Sequence, residues 1–390
     1  MKTHDASNAR ITRNENRFSG LWESEKHFAT DLSAKLSLAR IPALDGIRAL
    51  AVFLVIFYHF GFNWAPGGAG VMMFFVLSGF LITWLLLKEN ERYGDISLKG
   101  FYRRRILRIF PAFYAYWIIL ICLLSLKGKN VLWPHAISAL FYVSNYYNAI
   151  LGDPNNGFSH TWSLGIEEQF YLLWPFAFFL LRDDLKKMTR FLVILIGAVW
   201  LHRLILYFIF GVNQAYFYAS FDTRLDNLMV GCLAAVLLKR GALFSVWRVL
   251  CSNAFMVLLV VAPFLCSIYL GPLLMTRYLD VIGFAIDPIL IALLMIQLIS
   301  LSSSPCARWI ESPLLRFLGR ISYSLYLYQQ ITMDLAKKPV ADQPVIIQLL
   351  VAVSFTVAVA SFSYYVIERP FLRLRGSRPS RAVAAPAASV

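Results

Sequence analysis

Charge is scarce in this sequence. Only 15% of its 390 residues are Asp, Glu, Lys or Arg, against 59% hydrophobic residues and a mean hydropathy of +0.62. So little charge cannot cover a water-facing surface, and a soluble fold is excluded. Cysteine is scarce too: Cys122, Cys232, Cys251, Cys266 and Cys306 are odd in number and scattered, so they spell neither a disulfide framework nor a CxxC metal site. No metal is expected. Strict alternation of polar and apolar residues is also missing from runs such as 51–57 and 257–265, which excludes a membrane β-barrel. Acidic residues are the rarer sign, 22 against 37 Lys and Arg. In a soluble protein the resulting +15 would suggest nucleic acid. Here it suits cytoplasmic loops and anionic lipid headgroups, and no nucleic-acid partner is expected.

What the sequence has instead is long apolar runs, each able to cross a hydrocarbon core roughly 30 Å thick. The pattern predicts an all-α, polytopic transmembrane helical bundle embedded in a lipid bilayer, with about ten spans. These are placed at 44–62, 68–87, 109–126, 161–181, 191–210, 223–238, 252–271, 279–300, 319–335 and 344–367. With the N-terminus inside, 29 basic residues fall on the cytoplasmic side and 5 outside, which predicts that both termini are cytoplasmic. The apolar stretch from His135 to Leu151 would spoil that bias as an eleventh span, so it is expected to fold back within a long outer loop. Three parts follow: a polar cytoplasmic arm (1–40), a membrane domain (41–371) and a disordered cytoplasmic tail (372–390). The arm carries no run long enough for a cleavable signal and is expected to be retained. Leu21, Phe28, Leu32 and Leu36 could line one face of a short interfacial helix within it.

Ionisable side chains inside a bilayer cost several kcal/mol unless paired or solvated, so each is a functional candidate. Arg48 and His59 lie eleven residues apart in the first span, which leaves them roughly 20° from one helical face and about 16 Å apart along it. That stripe offers a fixed cation near the inner surface and an acid/base group towards the outer one. The plainer reading is an Arg reaching for headgroups and a His hydrogen-bonded in the bundle. In FYRRRILRIFP, Arg103, Arg104, Arg105 and Arg108 gather at the inner mouth, with Arg105 and Arg108 on one face as a fork suited to phosphate or to lipid headgroups. In HTWSLGIEEQFYLLWP, His160, Trp162 and Ser163 precede Glu167 and Glu168, which lie about 10 Å into the fourth span, in the depth range of His59. A carboxylate there could orient the imidazole. In FDTRLDNL, Asp222, Arg224 and Asp226, with His202 and Arg203, read as an ion-pair network that glues helices or faces an acceptor.

Taken together, these residues resemble the membrane-bound acyltransferases of the acyltransferase 3 type, which include polysaccharide and lipopolysaccharide O-acetyltransferases. The resemblance rests on LDGIRALAV, the Arg-x10-His spacing of Arg48 and His59, FFVLSGFLIT, the Arg-x-x-Arg of Arg105 and Arg108, TWSLGIEEQFYLLWP, TRLDNLMVG, ISYSLYLYQ and the closing ERPF. These follow one another in family order from about residue 42 to 371. Many relatives carry His at the position of Gln329, and because Gln cannot act as a base, no proton transfer is assigned there. The extracytoplasmic hydrolase-like domain that some members append is not expected on this chain.

The resemblance implies transfer of an acyl group, usually acetyl, from cytoplasmic acyl-CoA to a hydroxyl of a sugar or glycan across the membrane. The expected location is a bacterial inner membrane. Acyl-CoA would be a co-substrate, with no cofactor permanently bound. Its phosphates are expected on Arg105 and Arg108, with Arg48 nearby. His59 is expected to act as general base on the acceptor hydroxyl, or as a nucleophile through an acyl-imidazole, with Glu167 orienting it. Trp162, Glu168, Arg224 and Asp226 are the acceptor-side candidates. A transporter or flippase for a glycan or its precursor would use the same charged stripe as a pathway, but would release no free CoA.

Overall fold

The computed structural model describes residues 27–38, 40–275 and 277–374; the rest of the expected arm and tail, Leu21 and 376–390 included, lie outside the described residues. All regular elements among the described residues are helices. A first helix, α1 (27–37), places Phe28, Leu32 and Leu36 four residues apart. Leu32 and Leu36 are buried, and Phe28 meets Phe244 edge-on at 6.5 Å. Trp84 donates to the Leu36 carbonyl and Lys88 to those of Ser37 and Leu38, each at 3.0 Å. A short helix is therefore present where one was expected, and Leu32 and Leu36 are packed against the protein.

The bundle proper comprises α2 (Pro42–Phe60), α3 (Gly67–Tyr93), α4 (Leu98–Leu126), α5 (Trp133–Leu140), α6 (Ser144–Leu151), α7 (Trp162–Leu181), α8 (Leu185–Phe208) and α9 (Gln214–Ala219). It continues with α10 (Phe221–Lys239), α11 (Phe244–Leu250), α12 (Ala254–Tyr269), α13 (Gly271–Leu274), α14 (Phe284–Ser300), α15 (Pro313–Arg320), α16 (Ser322–Lys337), α17 (Val345–Ser363) and α18 (Arg369–Arg373). Each of the ten expected spans contains a helix. By length and apolarity, seven of the described helices can cross a membrane, or eight if the pair bent by 111° between α10 and α11 is one span. The ten expected from apolarity alone exceed this because α12 and α16 have 16 residues each, about 24 Å at 1.5 Å per residue. On α16 the polar groups Ser324, Gln329 and Thr332 are buried in the bundle, so protein rather than lipid surrounds that face.

The segment from His135 to Leu151 folds into the two eight-residue helices α5 and α6, each roughly 12 Å long and too short to cross. Outside the spans, burial lowers the pKa of His135, whose Nδ1 meets Asn156 Oδ1 at 3.1 Å. Its imidazole is neutral at neutral pH and can stack on Tyr147, 4.7 Å between ring centroids.

Local sequence explains the two features that matter most for the site. Pro42 starts α2 at a position where its missing N–H costs nothing. Gly61, at φ 113°, ends the helix as the Phe62 N–H turns back to the Phe57 carbonyl at 3.0 Å. His59 is thereby held in the last turn. Between α3 and α10 the backbones touch directly: a Cβ on Gly79 would strike the Leu228 carbonyl, and one on Gly231 the Val76 carbonyl. Small residues at such crossings allow the close packing that stabilises helices in lipid, where the hydrophobic effect gives little. Gly231→Ala is therefore expected to force α3 and α10 apart at a cost of roughly 1–3 kcal/mol. Thermal unfolding in detergent should show a clear loss, with Gly197→Ala, where nothing lies within 4 Å of the added Cβ, as the unchanged control.

Candidate active site

At the end of the bundle where the arginines collect, a cavity of ≈ 900 Å³ opens between α2, α3, α4 and α15. Eight of its lining side chains are Lys or Arg, against the three carboxylates of Asp45, Glu89 and Glu368. Such an excess of fixed positive charge in a walled space attracts polyanions. The four arginines of the FYRRRILRIFP segment divide by helical geometry. Arg103 points away and donates to the Leu374 carbonyl at 2.9 Å, while Arg104 pairs with Glu89 at 2.7 Å. Arg105 and Arg108, three residues apart, both face the cavity. The Arg105 guanidinium lies 4.7 Å over the Tyr171 ring. Arg48 joins them from α2, held by Asp45 at 3.3 Å.

These three arginines also line a second, smaller cavity of ≈ 80 Å³ deeper in the bundle, so they form the neck between the two spaces. The inner cavity has an apolar wall from α3 and α4 and a polar patch made by Ser78, Ser163, Glu167, Tyr171 and Tyr326. Glu167 accepts hydrogen bonds from the Ser78 hydroxyl at 2.9 Å and from the Tyr171 hydroxyl at 3.2 Å. Ser163 and Tyr326 are bonded to each other through their hydroxyls, and Tyr326 also donates to the His160 carbonyl at 2.9 Å.

His59 lies beyond this cavity and lines neither space. Its Nδ1 is 3.2 Å from Oε1 of Gln329, a fully buried residue of α16. An amide oxygen at that distance accepts a hydrogen bond from Nδ1–H, the tautomer that keeps the lone pair of the neutral ring on Nε2. Tyr326, on the cavity wall, precedes Gln329 by three residues, so one turn of α16 separates the cavity from the His59 partner. The expectation that Glu167 orients His59 is not met: both Glu167 oxygens are engaged by Ser78 and Tyr171, and Gln329 fills that role. Equal depth on two helices does not bring side chains together when they face different neighbours.

The acceptor-side candidates line neither cavity. Trp162 packs edge-on against Phe75 with ring centroids 6.1 Å apart, and Phe75 is part of the inner wall. Nor do Asp222, Arg224 and Asp226 form one network. Asp226 is gripped by Arg203 through two bonds of 2.8 and 2.7 Å and accepts from Trp200 at 2.8 Å, while Asp222 pairs with His202 at 2.8 Å. Arg224 is fully buried, its guanidinium 3.8 Å over the Phe284 ring and without a hydrogen-bond partner. Residues two apart on a helix point to opposite sides, and no hydrogen bond joins Arg224 to Asp226.

Sequence reasoning missed Ser78, Tyr171 and Tyr326 as cavity residues and Gln329 as the partner of His59. Tyr171 follows Glu167 by four residues, a spacing that does signal contact on a helix. His160, whose two ring nitrogens are each 3.1 Å from Gln330 Oε1 and the Leu327 carbonyl, fastens the start of α7 to α16.

Residues 41–366 match the family model described as an acyltransferase domain. Among curated proteins, the chain is 33% identical over 375 residues to the peptidoglycan O-acetyltransferase OatA of Listeria monocytogenes, covering 87% of this chain and 57% of that protein. It is 34% identical over 368 residues to the O-acetyltransferase OatA of Staphylococcus aureus, covering 86% of this chain and 58% of that protein. The chain thus spans less than two thirds of the length of these relatives. No solved structure matches it. A match over so much of the chain, running through the arginine neck and the His59 turn alike, shows that the protein belongs to the acyltransferase 3 family.

Proposed function

We propose that the protein is an integral membrane O-acyltransferase that moves an acyl group, acetyl in the first instance, from cytoplasmic acyl-CoA to a hydroxyl of a glycan on the far side. The observation that carries this reading is the neck of Arg48, Arg105 and Arg108, which joins a wide basic vestibule to a small, partly polar chamber. A nucleotide with several phosphates suits the vestibule in charge and size, and guanidinium forks bind phosphate well. The slender acyl-bearing arm of the same molecule suits the neck. The bias of basic residues supports a cytoplasmic vestibule, the side on which acyl-CoA is made.

In this reading Arg105 and Arg108 hold phosphate, and Arg48 stands where the thioester enters the chamber. His59 receives the proton of the acceptor hydroxyl on Nε2, with Gln329 fixing the tautomer and the ring plane through Nδ1. Glycans of the cell surface are the acceptors to test, peptidoglycan among them because the Listeria relative is named for it.

Membrane vesicles containing the full chain, given radiolabelled acetyl-CoA and host glycans, should pass label to the glycan fraction. His59→Ala should abolish that transfer while inserting normally, and an active His59→Ala would overturn the assignment. Label-free transport of an unmodified glycan, with no CoA released, would favour a transporter. Arg108→Ala should raise the KM for acetyl-CoA by roughly 10–100-fold, the equivalent of one charge-assisted hydrogen bond of about 1.5–3 kcal/mol. Gln329→Ala should lower kcat by roughly 10²-fold with little change in that KM, because it loosens the base without touching the donor site.

A further inference from the structure

The inner chamber holds a hydroxyl–carboxylate pair that base catalysis by His59 does not use. On α3, Val71, Phe74, Phe75, Ser78 and Leu81 all face the chamber, and Ser78 is the one polar side chain in that stripe. A serine within a helix ordinarily returns its hydrogen to the carbonyl four residues back. Ser78 instead reaches across to α7 and donates to Glu167 Oε1 at 2.9 Å, beside the Tyr171 hydroxyl that meets the same carboxylate. A hydroxyl held by a base, inside hydrogen-bond reach, is the arrangement of an activated nucleophile. Arg48, Arg105 and Arg108 line the same chamber and supply positive charge where a thioester carbonyl and its leaving sulfur would develop negative charge. The apolar wall keeps water from an ester formed there.

We propose that Ser78 is a covalent way-station, carrying the acyl group as a serine ester between the cytoplasmic thioester donor and the acceptor hydroxyl. The inference rests on the acyltransferase reading above. In the first half, Ser78 Oγ attacks the thioester carbonyl, its proton passes to Glu167, and the carbon–sulfur bond breaks. CoA leaves as a thiolate through the arginine neck and is protonated by cytoplasmic water. In the second half, the acceptor oxygen attacks the acyl-serine carbonyl as its proton passes to His59 Nε2. The Ser78 ester bond breaks, and Glu167 returns the stored proton to Ser78 Oγ. His59 then releases its proton to the outer side, and both groups are restored. Two proton carriers serving two half-reactions explain why Glu167 is bonded to Ser78 and His59 to Gln329, one helical turn beyond the chamber.

The test uses the full chain in proteoliposomes with radiolabelled acetyl-CoA. Without acceptor, the wild-type protein should become labelled to at most one acetyl per chain, with the acetyl mass on the peptide that contains Ser78. His59→Ala should hold that label even when glycan is added, because only its second half is blocked. Ser78→Ala should take up no label and transfer none. Ser78→Cys, close in size, should carry the label as a thioester that neutral hydroxylamine removes, which guards against loss of fold as the cause. Transfer at the wild-type rate by Ser78→Ala, label found on another residue, or transfer to glycan with no labelled chain in wild type or His59→Ala would each overturn the way-station while leaving the acyltransferase reading standing. Failure of any form of the folded protein to consume acetyl-CoA would overturn both.

Discussion

The cost of holding positive charge away from water governs this structure. Three guanidinium groups stand together where two cavities meet, and each needs support that a bilayer core cannot give. Asp45 supports Arg48, the Tyr171 ring supports Arg105, and the wide basic vestibule keeps the group hydrated from one side. The like charges remain close enough to act on one another, and a polyanion bound there, as proposed, would offset them. A neck of this kind is poised for phosphate, and the rest of the bundle can be understood as what keeps it in place.

Close helix packing does much of that work. The crossing of α3 and α10 at Gly79 and Gly231 brings two backbones into contact beside Ser78, so the chamber wall is set by main chain rather than by flexible side chains. The Arg203–Asp226 pair on α8 and α10 locks the N-terminal part of α10 through two parallel bonds. His160 fastens α7 to α16 through two polar contacts, and α16 in turn supplies both the Tyr326 hydroxyl and the Gln329 amide. The partner of His59 and the chamber wall thus share one rigid element.

Much of this was legible in the sequence, for physical reasons. Apolar runs identified a helical membrane bundle, and helical periodicity put Arg48 with His59, and Arg105 with Arg108, on common faces. Those are statements about single helices, where spacing determines direction. What spacing could not supply was the angle of one helix about its axis relative to another. Glu167 and His59 overlap in depth, yet Glu167 turns to Ser78 and Tyr171 while His59 turns to Gln329. The same limit dissolved the expected Asp222–Arg224–Asp226 network into separate pairs and an Arg224 lodged among aromatic rings. The number of helices long enough to cross depended on where helices such as α12 and α16 end, at 16 residues each, and apolarity along a chain does not report that. Gln329 was noticed as a residue unable to act as a base; its value lies in the tautomer it imposes on its neighbour.

The central claim is that acyl-CoA enters through the arginine neck with its reactive end in the inner chamber. An experimental structure of the full chain with a non-hydrolysable acyl-CoA analogue tests this most directly. The account predicts the nucleotide in the vestibule, phosphate oxygens on Arg105 and Arg108, and the acyl carbonyl beside Ser78 and Glu167. An analogue whose acyl group stops short of the neck, or which binds on another face of the bundle, would contradict it.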